Sequence, residues 1–103
     1  MVIRKSDTYV RKTSESKDIT DYIPSDIADR VSLEVMEVVD YAESEIAEYN
    51  RIYYVFDGEL QLLLNDKETL LYKGDAAFFE KGMAFALKGT FKVFIISHPE
   101  LHL

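Results

Sequence analysis

Residues 51–82 have the sequence RIYYVFDGELQLLLNDKETLLYKGDAAFFEKG, and they carry the clearest structural signal in the chain. The first apolar run, RIYYVF (51–56), is β-branched and aromatic, which favours an extended strand. Asp57-Gly58 follows, and a second apolar run, ELQLLL (59–64), comes next. Two strands separated by Asp-Gly are typical of a tight hairpin, so we predict one at this dipeptide.

The same pattern continues downstream, with turn signals between short apolar runs. Further strands are expected at ETLLY (68–72), AAFF (76–79), MAFAL (83–87) and TFKVFIIS (90–97). A lysine and a glycine stand in each break between these runs. Closely spaced short strands without helical segments between them indicate an all-β fold, either an antiparallel sandwich or a barrel.

Composition narrows the class of protein further. The chain has 103 residues, 48% of them hydrophobic, which suits one folded domain. It has no cysteine, which excludes disulfides, thiolate metal sites and a cysteine nucleophile. The net charge of −7 disfavours nucleic-acid binding, and no apolar run is long enough to span a membrane. The first residues lack a signal-peptide core, so we expect a cytoplasmic protein.

The first third of the chain is less regular. Residues 1–30 are polar and charged, and we expect an arm that packs on a barrel formed by residues 31–103, within a single domain. Inside this arm, residues 11–18 are expected to be an exposed loop. Residues 25–29 are expected to form a short helical turn capped by Ser25.

Residues 31–40 (VSLEVMEVVD) allow two interpretations. Val31, Leu33 and Val35 alternate with polar residues, as in a half-buried strand. Residues 35–49 also place apolar side chains on one face of a helix. The β-branched content favours a strand up to about residue 40.

The four glycines of the chain lie at predicted turns, and their spacing resembles that of a known family. Gly74, five residues, Glu80-Lys81-Gly82, two residues, Phe85, three residues and Gly89 match the frame G-x5-P-x-G-x2-H-x3-N. Arg51, six residues and Gly58 match the end of a second frame, G-x5-H-x-H-x3,4-E-x6-G. Both frames are motifs of the cupin superfamily, which residues 31–98 resemble.

The resemblance implies a double-stranded β-helix, which is a jelly-roll-like barrel. It also implies a homodimer, since cupins commonly pair, with N-terminal strands adding to the neighbour's sheet. Within the superfamily, residues 51–82 are similar to the small Q-type cupins of ethanolamine utilisation.

The resemblance further identifies the positions at which cupins hold an iron, manganese or similar ion with three His and one Glu. Here the Glu position is Arg51, and the His position of the other motif is Phe85. The His pair falls on Glu45 and Ala47, or with the longer spacing on Ser44 and Ile46. Because a guanidinium has no lone pair to ligate a metal, we expect no metal ion, no cofactor and no ion-dependent redox chemistry.

Arg51 is the first candidate binding residue. On the cupin frame it points into the barrel together with Tyr53, two positions along the same strand. An inward guanidinium is costly unless it is paired, either with an internal carboxylate such as Glu45 or Glu48 or with an anionic ligand. Six acidic residues and no basic residue lie between positions 34 and 48, which favours the internal carboxylate.

The other candidate ligand-binding residues are Glu45, Tyr49, Tyr53, Met83 and Phe85. Their rings either fill the core or line a pocket, and a pocket with one charge and several rings suits a small organic acid or a phosphate. No residue is assigned a catalytic role. We therefore expect a metal-free cupin that binds a small ligand or a protein partner. The alternatives are an ethanolamine-utilisation-type enzyme acting on small acids or phosphates, and a structural barrel filled by its own side chains.

Overall fold

The structure is a computed structural model, and it describes residues 2–23 and 31–98. A 3₁₀ turn (Lys5–Asp7) precedes seven strands: β1 (Tyr9–Ser14), β2 (Lys17–Asp21), β3 (Ser32–Ile46), β4 (Asn50–Leu64), β5 (Lys67–Tyr72), β6 (Ala76–Phe79) and β7 (Ala84–His98). They form one antiparallel sheet in the order β1-β2-β3-β7-β4-β5, with β6 also paired to β4. The described residues include no helix long and apolar enough to cross a membrane.

The three 15-residue strands β3, β4 and β7 each run through both halves of the sheet. Register shifts interrupt β3 between Val38 and Tyr41, and β4 between Val55 and Asp57. The strands bend there, so the sheet folds over on itself in a jelly roll. We call the two halves the lower layer and the upper layer. The lower layer contains β1, β2, β6 and residues 32–38, 50–55 and 93–98; the upper layer contains β5 and residues 41–46, 57–64 and 84–89.

The predicted hairpin at Asp57-Gly58 is wrong, because β4 continues through these residues. Gly58 has a φ of +80°, and a Cβ at this position would lie 2.3 Å from the carbonyl oxygen of Thr90. Gly89 lies inside β7 in the same way, with a φ of +130° and 2.6 Å between its would-be Cβ and the carbonyl oxygen of Glu59. The two glycines are therefore points of close backbone approach where the sheet folds, and not chain reversals.

The other predicted turns are confirmed. Asn65 and Asp66, at φ +52° and +63°, form the two-residue turn that joins β4 to β5. Gly74 and Gly82 lie in the turns that precede β6 and β7.

Residues 32–46 form strand β3, so the strand interpretation of residues 31–40 is confirmed and the helical interpretation of residues 35–49 is wrong. The chain passes the bend at Asp40, whose φ is +45°. The Asp40 backbone N–H donates to Thr90 Oγ1 at 3.0 Å, which ties the bend of β3 to β7.

The N-terminal arm contains a hairpin. Strands β1 and β2 pair with each other, and β2 pairs with β3, so the arm widens the lower layer. The predicted loop at residues 11–18 is therefore wrong. Strand β1 is exposed along its whole length, and an edge strand of this kind carries no apolar alternation to detect. The predicted helical turn at residues 25–29 lies outside the described residues, and the division of the domain at residue 30 stays a prediction.

The core lies between the two layers. Its buried members come from both layers: Ile19, Met36, Val38, Ala47, Tyr53, Val55, Leu60, Leu62, Phe79, Phe85, Leu87, Phe91, Val93 and Ile95. Alternate residues of β7 supply five of them, as expected for a strand with one face turned inward.

Candidate functional site

A polar cluster lies between the layers, at the end opposite the bends. Both ends of each long strand meet there, and we call this end of the two layers the mouth. Arg51 and Tyr53 point inward from β4, and Glu45 faces them from β3. Arg51 Nη1 donates to Glu45 Oε1 at 3.2 Å, and the Tyr53 hydroxyl lies 3.5 Å from Glu45 Oε2.

The ion pair between Arg51 and Glu45 is partly buried, with side-chain exposures of 17% and 24%. The acidic residues between positions 34 and 48 predict an internal carboxylate for Arg51, and Glu45 fills this role. Glu48, the other residue considered, is exposed. Arg51 therefore faces inward and is already neutralised in part by its own chain.

Glu34 adds a second carboxylate to the cluster. It enters from the inward face of β3, where its register partner on β7 is the buried Ile95. Burial raises the pKa of the Glu34 carboxyl, and the charge of Asp21 raises it further, while Arg51 lowers it. Burial also raises the pKa of the Tyr53 hydroxyl, which stays a neutral hydrogen-bond donor and acceptor. Sequence reasoning missed Glu34 because the alternation of residues 31–35 places the apolar side chains on the inward face and Glu34 on the outward face, whereas the structure has the reverse.

Two buried polar atoms of the mouth have no hydrogen-bond partner among the described residues: Arg51 Nε and Ser97 Oγ. Arg51 and Ser97 are register partners on β4 and β7, so their side chains lie side by side on the inward face. Ser97 is only 6% exposed. Buried donors are normally satisfied, so this pair is a place where an external oxygen atom would gain two hydrogen bonds.

Aromatic rings form the floor of the mouth. Phe79 stacks on Phe85 with 4.0 Å between the ring centroids, and Tyr53 meets both rings edge-on at 5.2 and 5.9 Å. Met83, in the turn before β7, packs against the buried core to which these three rings belong. Sequence reasoning included Phe85, Tyr53 and Met83 but not Phe79, which becomes evident only from the pairing of β6 with β4.

Tyr49 does not join this group. It precedes β4 and is 42% exposed, whereas Tyr53 and Phe85 are at most 4% exposed. The structure thus brings Arg51, Glu45, Tyr53, Phe85 and Met83 together and leaves Tyr49 outside. A ligand-binding role for any of the six stays a prediction.

A second polar cluster lies nearer the bends. Lys17 Nζ donates to Glu43 Oε2 at 3.0 Å and to the Tyr41 hydroxyl at 3.1 Å. The Lys17 side chain is 17% exposed, and its ammonium lies 5.3 Å from the centre of the Tyr41 ring. With a carboxylate, a hydroxyl and a ring as partners, Lys17 is satisfied, so this cluster holds β2 against the upper layer.

The mouth does not fit the imidazole-held ion that the cupin resemblance implies. Two of the family's ligand positions carry the Arg51 guanidinium and the Phe85 ring, and the His pair falls on Glu45 and Ala47 or on Ser44 and Ile46. The Glu45 carboxylate is already bonded to Arg51. A guanidinium repels a cation, and a phenyl ring offers it no lone pair. Within residues 2–23 and 31–98, no three His, Cys, Asp or Glu side chains converge in the manner of a metal site.

An open trough of about 750 Å³ runs along the upper layer at its mouth end. Its lining includes Glu45 and Phe85 from the mouth, together with Ile46 and Leu63.

The whole fold matches solved cupin structures, although no protein-family model and no curated protein sequence matches the chain. An ethanolamine utilization protein Q (EutQ) from Salmonella typhimurium superposes with a TM-score of 0.80 at 17% identity, over 97% of this chain and 86% of that chain. A cupin superfamily protein from Desulfitobacterium hafniense gives a TM-score of 0.71 at 19% identity, over 84% and 81%.

A third similar structure is the hydroxypropylphosphonic acid epoxidase from S. wedmorenis, with a TM-score of 0.79 at 20% identity. The match covers 94% of this chain and 59% of the epoxidase. At such identities the likeness shows the fold alone. The fold is the cupin jelly roll, and the prediction of a small cupin barrel similar to the Q-type proteins is confirmed.

Proposed function

We propose that the protein is a metal-free cupin that binds a small organic molecule at its mouth. The observation that carries this proposal is the pair of buried, unpartnered donors, Arg51 Nε and Ser97 Oγ, which lie side by side. One ligand oxygen between them would remove two desolvation penalties of about 1–3 kcal/mol each.

The ligand class that suits these donors is a small organic acid or a phosphate, because a guanidinium binds carboxylate and phosphate oxygens in a fork. The carboxylates of Glu45 and Glu34 already lie near Arg51, however, and they repel an anionic ligand. We therefore expect weak binding at neutral pH. Binding should tighten as the pH falls and Glu34, whose pKa is raised by burial, takes up a proton.

A second candidate function is a structural barrel that is filled by its own side chains. The observation that favours it is the close packing of Tyr53, Phe79 and Phe85 against one another, with Phe79 as the register partner of Arg51. In this case Arg51 and Glu45 would serve only to close the mouth. The ethanolamine-utilisation type of enzyme, a cytoplasmic location and the absence of nucleic-acid and membrane partners stay predictions.

A thermal-shift titration with sulfate and with lactate distinguishes the two candidates. Sulfate carries the same charge at pH 5.5 and at pH 7.5. A larger rise in Tm at the lower pH would therefore reflect protonation of the protein and not of the ligand. We expect stabilisation of the unmodified protein, with a clear reduction for Ser97→Ala and for Arg51→Lys. Arg51→Lys keeps the charge but loses Nε. The control is Arg11→Lys, because Arg11 forms the exposed ion pair with Asp21.

Equal shifts in all four proteins would indicate nonspecific anion effects and would reject the mouth as the site. No shift with either anion would favour the filled barrel. Elemental analysis of the purified protein is the second test, because stoichiometric iron, manganese or zinc would refute the metal-free proposal.

A further inference from the structure

The charges that point inward from the lower layer are not all paired among the described residues. Three cations point inward from this layer, and each forms an ion pair with a carboxylate: Arg11 with Asp21, Lys17 with Glu43 and Arg51 with Glu45. Glu34 also points inward, but no cation within residues 2–23 and 31–98 forms an ion pair with it. One inward carboxylate of the described chain is thus left without a cationic partner.

The surroundings of Glu34 explain why its charge is not offset. Asp21 lies directly opposite it on β2, and two like charges in this position repel each other. Arg11 binds both oxygens of Asp21, at 2.6 and 3.1 Å, so its guanidinium is already engaged. On the other side, the register partner of Glu34 is Ile95, which carries no charge. A cation that entered the mouth would therefore find a half-buried carboxylate as its acceptor.

Glu34 lies one row from the two unpartnered donors of the mouth. Ser97 is opposite Ser32, which is two residues before Glu34 on the same face of β3. Diagonal neighbours of this kind have Cβ atoms about 7 Å apart. Ser97 is only 6% exposed, and neither its Oγ nor Arg51 Nε has a hydrogen-bond partner among the described residues. The mouth thus offers two donors and a carboxylate acceptor in adjacent rows.

We propose that the ligand of the mouth is a small amino acid, whose carboxylate accepts hydrogen bonds from Arg51 and Ser97 while its ammonium group donates to Glu34. This inference rests on the proposed function, because it names the class of ligand for the same site. Both ends of such a ligand form charge-assisted hydrogen bonds. The ammonium group also offsets the charge of Glu34, so the carboxylate that repels a simple acid attracts this ligand.

Other small ligands satisfy only part of this arrangement. A simple organic acid or a phosphate pairs with Arg51 and Ser97 but adds to the excess of negative charge. A hydroxy acid donates a hydrogen bond to Glu34 without offsetting its charge. A simple amine offsets the charge but leaves the two buried donors without an acceptor, which costs free energy. An amino acid meets both requirements.

Titrations followed by the backbone amide signals in NMR spectra test the proposal. Glycine, β-alanine and γ-aminobutyrate provide increasing separations between carboxylate and ammonium group, and acetate, propionate and butyrate are the matched acids without the amine. At neutral pH we expect the best amino acid to bind about fivefold more tightly than its matched acid, because it gains a charge-assisted hydrogen bond in a partly hydrated site.

The pH dependence distinguishes an amino acid from an anion. Burial raises the pKa of the Glu34 carboxyl, so it loses part of its charge as the pH falls from about 7.5 to about 5.5. The amino acids stay zwitterions over this range, so their affinity should fall, whereas the affinity for sulfate should rise. The charged and titratable groups that surround Glu34 come from four strands: Arg11 on β1, Asp21 and Lys17 on β2, Glu45 on β3, and Arg51 and Tyr53 on β4.

Glu34→Gln keeps the shape of the side chain and removes its charge. This variant should bind the best amino acid about fivefold more weakly and the matched acid no more weakly than the unmodified protein, a reversal that a purely structural role of Glu34 would not produce. Glu48→Gln is the control and should change neither affinity. Glu48 is exposed in the connection between β3 and β4, at the same end of the layers.

Amino acids that bind no better than their matched acids, or that keep their advantage in Glu34→Gln, would overturn the proposal. If the acids still bind and lose affinity in Arg51→Lys, the mouth remains the ligand site and only the class of ligand is wrong. If neither the acids, the amino acids nor sulfate shift any amide signal, the proposed function fails together with this inference.

Discussion

Replacing Gly58 by alanine is expected to destabilise the fold strongly, because the added methyl group meets backbone and not a movable side chain. The Cβ would lie 2.3 Å from the carbonyl oxygen of Thr90 and 2.8 Å from the Cα of Phe91. A left-handed φ costs a non-glycine residue about 1–2 kcal/mol. Moving β7 away to relieve the overlap should cost a further 1–3 kcal/mol, as overpacking does elsewhere. We expect a loss of about 3 kcal/mol, equivalent to a fall of roughly 15 °C in Tm.

Gly74→Ala is the matched control for this substitution. Gly74 has nearly the same φ, +94°, but no atom lies within 4 Å of its would-be Cβ. Only the conformational cost of about 1–2 kcal/mol should therefore remain. Urea denaturation followed by far-UV circular dichroism and by the fluorescence of the seven tyrosines measures both variants. Equal losses for the two alanine variants would refute the reasoning, since the close approach of β4 to β7 would then contribute nothing.

Three further predictions concern the mouth. Glu45→Ala should lower the free energy of unfolding by about 1–3 kcal/mol, because it removes the carboxylate that pairs with the largely buried Arg51. The control is Asp21→Ala, which breaks an exposed ion pair and should cost about 1 kcal/mol or less. The raised pKa of Glu34 means that its contribution to stability is present in acid and is lost as the pH rises through that pKa. As the pH rises from about 4 to about 7, the Glu34→Gln variant should therefore gain stability relative to the unmodified protein. Urea titrations at several pH values measure this, and a difference in free energy of unfolding that does not change with pH would contradict the prediction. Phe85→Ala should cost about 3–5 kcal/mol in the same denaturation assay, and a loss below about 1 kcal/mol would show that the ring is not part of the core.

Much of the fold follows from local patterns in the sequence. Alternating and continuous apolar runs identify most of the strands, and the spacing of the glycines identifies the family of the fold. The bends are harder to foresee, because a glycine that ends a strand and a glycine that lets two strands approach look alike in sequence. Gly74 is of the first kind and Gly58 of the second, and only the position of β7 distinguishes them.

The candidate site could also be predicted only in part from the sequence, because some of its residues are brought together by pairing between distant strands. The family frame placed Arg51 and Tyr53 on the inward face, and the acidic composition of residues 34–48 supplied a carboxylate for Arg51. The contributions of Phe79 and Ser97 depend on pairing between strands that are distant in sequence. No local pattern encodes that pairing, so these residues emerge only from the folded sheet.

The central place of β7 also governs how the chain reaches its folded state. It is the last of the described strands to leave the ribosome, yet both β3 and β4 hydrogen-bond to it, with Ser32 opposite Ser97. Folding must close long loops before those contacts form, so we expect it to take milliseconds to seconds. Until residues 84–98 have been synthesised, the apolar runs of β3 and β4 lack their common partner, and during this interval the nascent chain is most exposed to aggregation.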